Sequence, residues 1–171
     1  MAEQVKEQGL LNFFVQCLQD VYCAEKKFVK CAAALSIAAH TEELQSALIS
    51  QSQEAEVHLE RLNLIFELME KEPGKGKCMI IELLSDKSAA ILKTVETGTS
   101  LRDSAIIYTV QLISHYKIAS YGSLISLVGE IGYPDAKMLL EQCLADEKNA
   151  DAYLTQIAMN FINHAASRES E

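Results

Sequence analysis

The chain has 171 residues, of which 49% are hydrophobic and 23% are charged, enough for one soluble domain with a sizeable core. With only 2 prolines and 7 glycines, it has too few chain breakers for a turn-rich all-β fold or for extensive disorder. The formal net charge of −9 disfavours nucleic acid as a partner, because the overall field of the protein repels phosphates.

Compartment and membrane association are predicted from the first residues, the apolar runs and the cysteines. Residues 1–9 mix acidic and basic side chains, unlike the basic start of a signal peptide. The longest apolar run, residues 31–39, is interrupted by Ser36 and is too short to cross a bilayer. The 5 cysteines form no Cys-x-x-Cys pair, which favours reduced thiols packed in a core. We therefore expect a cytoplasmic protein with no membrane contact.

The first two predicted helices come from one long segment without glycine or proline, residues 10–72. A single helix of that length is implausible in a globular domain, so the segment must fold back on itself. Thr41 is a good N-cap and is followed by two glutamates, which favours a new helix at that point. Residues 73–77, with one proline and two glycines, end the second helix.

The later helices are delimited by further turn and capping residues. Gly98 and a Ser-x-x-Asp cap, Ser100 to Asp103, begin one long helix, and Gly132 with Pro134 separates it from the last one. The predicted long helices are residues 10–38, 42–71, 101–131 and 135–164, and a shorter helix spans 78–96.

Two pairs of long helices joined by an extended middle connection are typical of ferritin-like bundles. The predicted fold is therefore all-α: one ferritin-like four-helix-bundle domain over residues 1–171, with a short extra helix in the crossover between helices 2 and 3.

Ionisable side chains interrupt the apolar stripe of every long helix. The stripes have the alternating three- and four-residue spacing of buried helix faces, and the last one ends at Phe161. The interrupting carboxylates and the lysine lie within four residues of the same depth along their helices, about 6 Å at the helical rise. The sequence thus predicts one buried polar layer, composed of Glu25, Glu54, His58, Ser114, Lys117, Tyr121, Glu147 and Asp151.

Two interpretations of this layer are open, because buried carboxylates must be neutralised by a proton, a cation or a metal. Four-helix bundles build di-metal sites from one Glu on each of two helices and Glu-x-x-His on the other two, usually for iron or manganese. The candidate metal ligands are Glu25, Glu54, His58 and Glu147. The match is incomplete, since the third long helix offers Ser114 and Lys117, so a metal-free ion-pair network around Lys117 is the alternative.

Several short strings resemble a known family over about residues 12–163. They are Tyr22-Cys23-Ala24-Glu25-Lys26, Leu59-Glu60-Arg61, His115-Tyr116-Lys117-Ile118-Ala119-Ser120-Tyr121-Gly122, Gly132-Tyr133 and Glu147-Lys148. In these strings the chain resembles the YciE/YciF-like stress-induced bacterial proteins, a ferritin-like group of unknown function. The resemblance implies a homodimer, a fold related to rubrerythrin and manganese catalase, and a role in oxidative or envelope stress.

The same resemblance implies that Glu25, Glu54 and Glu147 match the inward carboxylates of the family. The resemblance also implies the string Glu-His-Tyr-Glu-Ile-Ala in the third long helix of family members. This chain has Ser114 and Lys117 in place of both glutamates. We therefore expect a degenerate di-metal site that binds no metal or other cofactor, in a protein that is not an enzyme. The alternative is an iron- or manganese-binding oxidoreductase that detoxifies peroxide.

Overall fold

A computed structural model describes residues 2–74 and 78–169, with side chains from residue 9 onward. Residues 75–77, part of the predicted break after the second helix, lie outside the described residues. All regular elements of the described part are helices, and no strand occurs in it. Its elements are α1 (Ala2–Ala38), α2 (Glu42–Leu68), α3 (Met79–Thr94), α4 (Ser100–Ile131), α5 (Pro134–Ile157), a π-helical segment (Ala158–Ile162) and α6 (Asn163–Ala166).

The four long helices pack as a bundle in which α1 contacts α2 and α4, and α5 contacts the same two helices from the other side. Short turns join α1 to α2 and α4 to α5, and Gly132 ends α4 in the left-handed conformation with φ 81°. The crossover helix α3 lies against α1 and α4. This arrangement confirms the predicted all-α bundle with a short helix in the long connection. No helix among the described residues has both the length and the apolarity needed to cross a bilayer.

The start of α4 is capped differently from the prediction. Its N-cap is Thr99, whose hydroxyl accepts from Arg102 N at 3.2 Å, rather than Ser100. The carboxylate of Asp103 instead accepts hydrogen bonds from His40 N at 2.7 Å, from Thr41 N at 2.9 Å and from the Thr41 hydroxyl at 2.7 Å. Asp103 therefore joins the start of α4 to the turn between α1 and α2, which fixes the parallel course of α2 and α4.

Several predicted helix limits are wrong. α1 begins at Ala2 rather than at residue 10, and α3 ends at Thr94 rather than at residue 96. The second helix ends at Leu68 instead of residue 71, because Glu70 adopts a left-handed φ of 54° and its N–H bonds to Glu67 O in a tightened turn. The last helix is not continuous to residue 164, because a π-helical segment follows Ile157. Its wider turn rotates the following residues, so that Phe161, a predicted stripe residue, is 59% exposed and Ile162 is buried.

The core consists of two apolar clusters at opposite ends of the bundle. One contains Phe28, Leu48, Ile113 and Leu154, and the other contains Phe14, Leu18, Leu62, Leu124 and Leu140. Every long helix contributes to both clusters, and the ionisable side chains of the predicted layer lie where the clusters meet. The two apolar clusters therefore cover this level of the bundle from both ends.

Candidate functional site

Five side chains from all four long helices meet at the middle of the bundle, and we call them the polar layer. They are Glu25 of α1, His58 of α2, Lys117 and Tyr121 of α4, and Glu147 of α5. None of the five is more than 5% exposed. Each interrupts the apolar stripe of its helix, so packing of the stripes brings all five to one level.

Lys117 supplies the positive charge of the polar layer. Its ammonium donates to Glu25 Oε2 at 3.0 Å and also to Glu147 Oε1, and it lies 3.9 Å from the centre of the Phe28 ring. Burial lowers the pKa of this amine, but the two carboxylates outweigh burial and raise the pKa above its ordinary value. The amine is therefore held in its protonated form, between two acidic side chains and an aromatic face.

Glu25 is the most completely hydrogen-bonded member of the polar layer. Besides the Lys117 ammonium, its carboxylate accepts from the Tyr121 hydroxyl at 2.6 Å and contacts His58 Nδ1 at 3.1 Å. Burial acts to raise the Glu25 pKa, but these three neighbours outweigh it and lower the pKa to about 2. Because an ionised carboxylate can only accept, His58 Nδ1 is assigned as the protonated ring nitrogen, which donates a hydrogen bond to Glu25 Oε1.

Glu147 is held less firmly than Glu25. Burial raises its pKa, and Lys117 offsets burial only in part, because the charge of Glu25 adds to the repulsion. His58 Nδ1 lies 3.5 Å from Glu147 Oε1. One ammonium thus serves two buried carboxylates, and Glu147 is the one whose charged form is less stabilised.

Asp146 and Arg61 connect the polar layer to the surface. His58 Nε2 lies 3.4 Å from Asp146 Oδ2 but makes no hydrogen bond of ordinary geometry, and Arg61 Nη1 donates to the same oxygen at 2.6 Å. Sequence reasoning missed this pair. Their positions could have indicated it, because Arg61 follows His58 by about one helical turn on α2, and Asp146 directly precedes Glu147 on α5.

The predicted layer residues Glu54, Ser114 and Asp151 lie outside these contacts. Glu54 is half-buried, and its pKa is raised first by burial and then by the charge of Asp146. Asp151 is also half-buried and accepts from Gln111 Nε2 at 3.2 Å. Ser114 is buried beside the polar layer, but its hydroxyl has no hydrogen-bond partner in the described part of the chain.

Three of the four candidate metal ligands come together, because Glu25, His58 and Glu147 each offer a ligand atom within 4.8 Å of the others. These residues do not fit a di-metal centre. Glu54 is not in this group, α4 contributes Lys117 in place of a carboxylate, and the ammonium already contacts both glutamates. The donor set suits at most one cation, and that cation would have to displace Lys117.

Comparison with known proteins places the chain among relatives of the same length and fold. A family model described as "Domain of unknown function (DUF892)" matches residues 9–167. Protein YciF of Escherichia coli (strain K12) is 33% identical over 160 residues, which are 93% of this chain and 96% of that protein.

Two solved structures are similar over most of both chains. The crystal structure of the E. coli stress protein YciF matches with a TM-score of 0.86 and 32% identity, over 90% of this chain and 97% of that one. YcfI, a putative structural protein from Rhodopseudomonas palustris, matches with a TM-score of 0.82 and 27% identity, over 85% and 92% of the two chains.

Proposed function

Because the chain belongs to the DUF892 family, whose function is unknown, we propose that it is a non-catalytic stress-associated protein built on a ferritin-like bundle. Its polar layer acts as a metal-free ion-pair network in the position of a degenerate di-metal site. Two similar structures are those of a stress protein and of a putative structural protein, which supports this class of function.

The observation that carries the proposal is the position of Lys117. Its ammonium contacts Glu25 and Glu147, the two carboxylates that a metal ion would have to bridge. Both carboxylates raise the pKa of the amine, so it keeps the charge that repels a divalent cation. Ser114 and Lys117 also leave α4 without a carboxylate ligand at this level.

Metal analysis tests the proposal directly. The protein is purified from cells grown with added iron and manganese, and its metal content is measured by mass spectrometry before and after incubation with Fe²⁺ or Mn²⁺. We expect far less than one metal ion per chain under both conditions. Near-stoichiometric iron or manganese that survives gel filtration would overturn the proposal.

An iron- or manganese-binding oxidoreductase is the second candidate, favoured by the close approach of the Glu25, His58 and Glu147 ligand atoms. In that case these three residues would hold one ion, which would supply redox chemistry toward peroxide. This function predicts metal-dependent peroxide consumption by the purified protein. It also predicts that His58→Ala abolishes both the metal content and that activity.

We also propose that the protein is a cytoplasmic homodimer that binds no nucleic acid. Phe13, Ile49 and Leu64, apolar residues outside the helix stripes, are 54%, 49% and 48% exposed, and such side chains favour association. The net charge of −9 argues against a phosphate-binding surface. Light scattering coupled to gel filtration should give twice the chain mass of 18.9 kDa.

A further inference from the structure

A cavity of about 710 Å³ lies between α1 and the crossover helix α3, and none of the polar-layer residues lines it. It follows α1 from Gln19 to Leu35, a distance of about 24 Å at 1.5 Å per residue. Its volume falls within the range of small-molecule sites in proteins. The cavity therefore has the elongated shape of a trough rather than the compact shape of a metal or nucleotide site.

The walls of this trough are mainly apolar. Leu35 and Leu92 lie at one end, Tyr22 lies toward the other, and Ala34 and Ala89 leave the space between the two helices open. Burial raises the pKa of the Cys31 thiol, which keeps this lining residue neutral. Such a surface favours an extended apolar group, because each methylene removed from water contributes favourably.

Three lysines of α1, Lys26, Lys27 and Lys30, also line the trough. Lys27 is paired with Glu82 at 2.8 Å, whereas Lys26 only approaches the Tyr22 ring, at 5.6 Å from its centre. Within the described residues, neither Lys26 nor Lys30 forms an ion pair. The two are four residues apart and share one helix face, so a single anionic group can interact with both.

A hydroxyl on the α3 wall adds a second polar feature. Ser85 Oγ is buried beside the Cys31 thiol, with which it interacts, but it makes no hydrogen bond of ordinary geometry in the described part of the chain. Buried hydroxyl groups in proteins are nearly always paired, so this one is suited to a ligand atom in the trough. The trough thus combines an apolar channel, two ammonium groups without an ion pair and one buried hydroxyl beside the Cys31 thiol.

We propose that this trough binds one long-chain fatty acid. The acyl chain lies between α1 and α3, and the carboxylate interacts with Lys26 and Lys30. The site is separate from the polar layer, so its test does not depend on the proposed metal-free function.

Fluorescence titration with a dansyl-labelled undecanoic acid tests the proposal, with palmitate and hexadecanol as competitors of equal chain length. We expect saturable binding of one probe per chain, displacement by palmitate, and much weaker displacement by the alcohol. Absence of saturable binding, or equal competition by alcohol and acid, would overturn it. Binding to anionic phospholipid vesicles that palmitate does not reduce would also overturn it, because it indicates a membrane surface instead.

Matched variants separate the two halves of the site. Lys26→Gln with Lys30→Gln should raise the Kd for the labelled acid by about tenfold, and the exposed Lys148→Gln should leave it unchanged. Ala89→Phe should block the trough and abolish binding, with helicity retained by circular dichroism. Unchanged binding in either cavity variant would contradict the assignment.

Discussion

Lys117 and Glu25 are 92 positions apart in the chain, yet the Lys117 ammonium donates to Glu25 Oε2 over 3.0 Å where neither side chain is exposed. The pair joins α1 to α4 across the bundle, and the second bond of Lys117 brings in Glu147 of α5. Because each of these buried charges contacts an opposite charge, the contact offsets the cost of removing the charge from water. Removal of any one partner leaves another charge buried without its counter-charge.

Replacement of Lys117 by methionine should therefore strongly destabilise the protein at neutral pH. The variant keeps much of the side-chain volume but leaves Glu25 and Glu147 without their cation, a loss of about 3–5 kcal/mol. Urea unfolding followed by circular dichroism measures it. Lys148→Met, at an exposed site on α5, is the control and should change stability by less than about 0.5 kcal/mol. Equal stabilities of the two variants would contradict the importance of the pair.

Acid should destabilise the wild-type protein through Glu25 more than through Glu147. The Glu25 pKa is lowered from 4.5 to about 2, so its contribution is complete above the unfolded value and is lost as the pH falls through this window. It amounts to something on the order of 3 kcal/mol. The Glu147 pKa is raised, so that residue makes its stabilising contribution at low pH and loses it as the pH rises.

The two glutamine variants separate these opposite effects. In Glu25→Gln, the free energy of unfolding should change less between pH 4.5 and pH 2 than in the wild type. Glu147→Gln should keep the wild-type dependence on pH in this range. Chemical unfolding at a series of pH values gives both curves. If Glu147→Gln rather than Glu25→Gln lost this pH dependence, Glu147 and not Glu25 would hold the stabilised negative charge.

Metal affinity should appear when α4 is given carboxylates in place of its polar-layer residues. Ser114→Glu with Lys117→Glu removes the ammonium and puts two carboxylates near Glu25, His58 and Glu147, which gives the donor types that iron and manganese prefer. We expect Mn²⁺ to raise the Tm of this variant and not that of the wild type. Lys148→Glu controls for two of the three units of negative charge that the double variant gains, and no metal-dependent shift in the double variant would contradict the prediction.

Asp103 should be a major determinant of stability although it lies far from the polar layer. Asp103→Ala removes the acceptor for two backbone N–H groups and the Thr41 hydroxyl, at a cost of roughly 3 kcal/mol. For a chain of this length that corresponds to a fall in Tm of roughly 6–12 °C. Differential scanning calorimetry measures the fall, and Asp86→Ala on the exposed side of α3 should shift the Tm very little.

The helices and the crossover could be predicted because capping and breaking residues mark most of their ends. The π-helical segment could not, since residues 158–162 contain neither glycine nor proline. The resulting rotation, which exposes Phe161 and buries Ile162, depends on how the end of α5 packs against α4. The α1–α3 trough was also beyond prediction, because it depends on the distance at which α3 packs.

Counting turns predicted a common level for Glu25, Glu54, Lys117 and Glu147. Glu25, Lys117 and Glu147 do lie in contact in the structure, whereas Glu54 lies outside their contacts. Counting turns could not distinguish Glu54 from His58, four residues apart on one face of α2. They lie one turn apart, about 6 Å along the axis, so which of them reaches the level of Glu25 depends on how α2 is placed along the bundle, and the packing of the buried Ala55 and Leu62 fixes that placement. Sequence spacing alone therefore leaves the depth of the inward-facing residue of α2 uncertain by about one helical turn.

The Ser114 hydroxyl is buried beside the polar layer and has no hydrogen-bond partner among the described residues. Removing an unsatisfied buried hydroxyl abolishes its desolvation cost, so Ser114→Ala should be as stable as the wild type or up to about 1 kcal/mol more stable. Ser123→Ala, at an exposed site on the same helix, measures the gain in helix propensity together with the loss of the exposed bond from Ser123 Oγ to Ala119 O. Urea unfolding compares the two variants. A clear loss in Ser114→Ala, absent from Ser123→Ala, would show that the Ser114 hydroxyl binds a partner such as water and that the polar layer extends one turn further along α4.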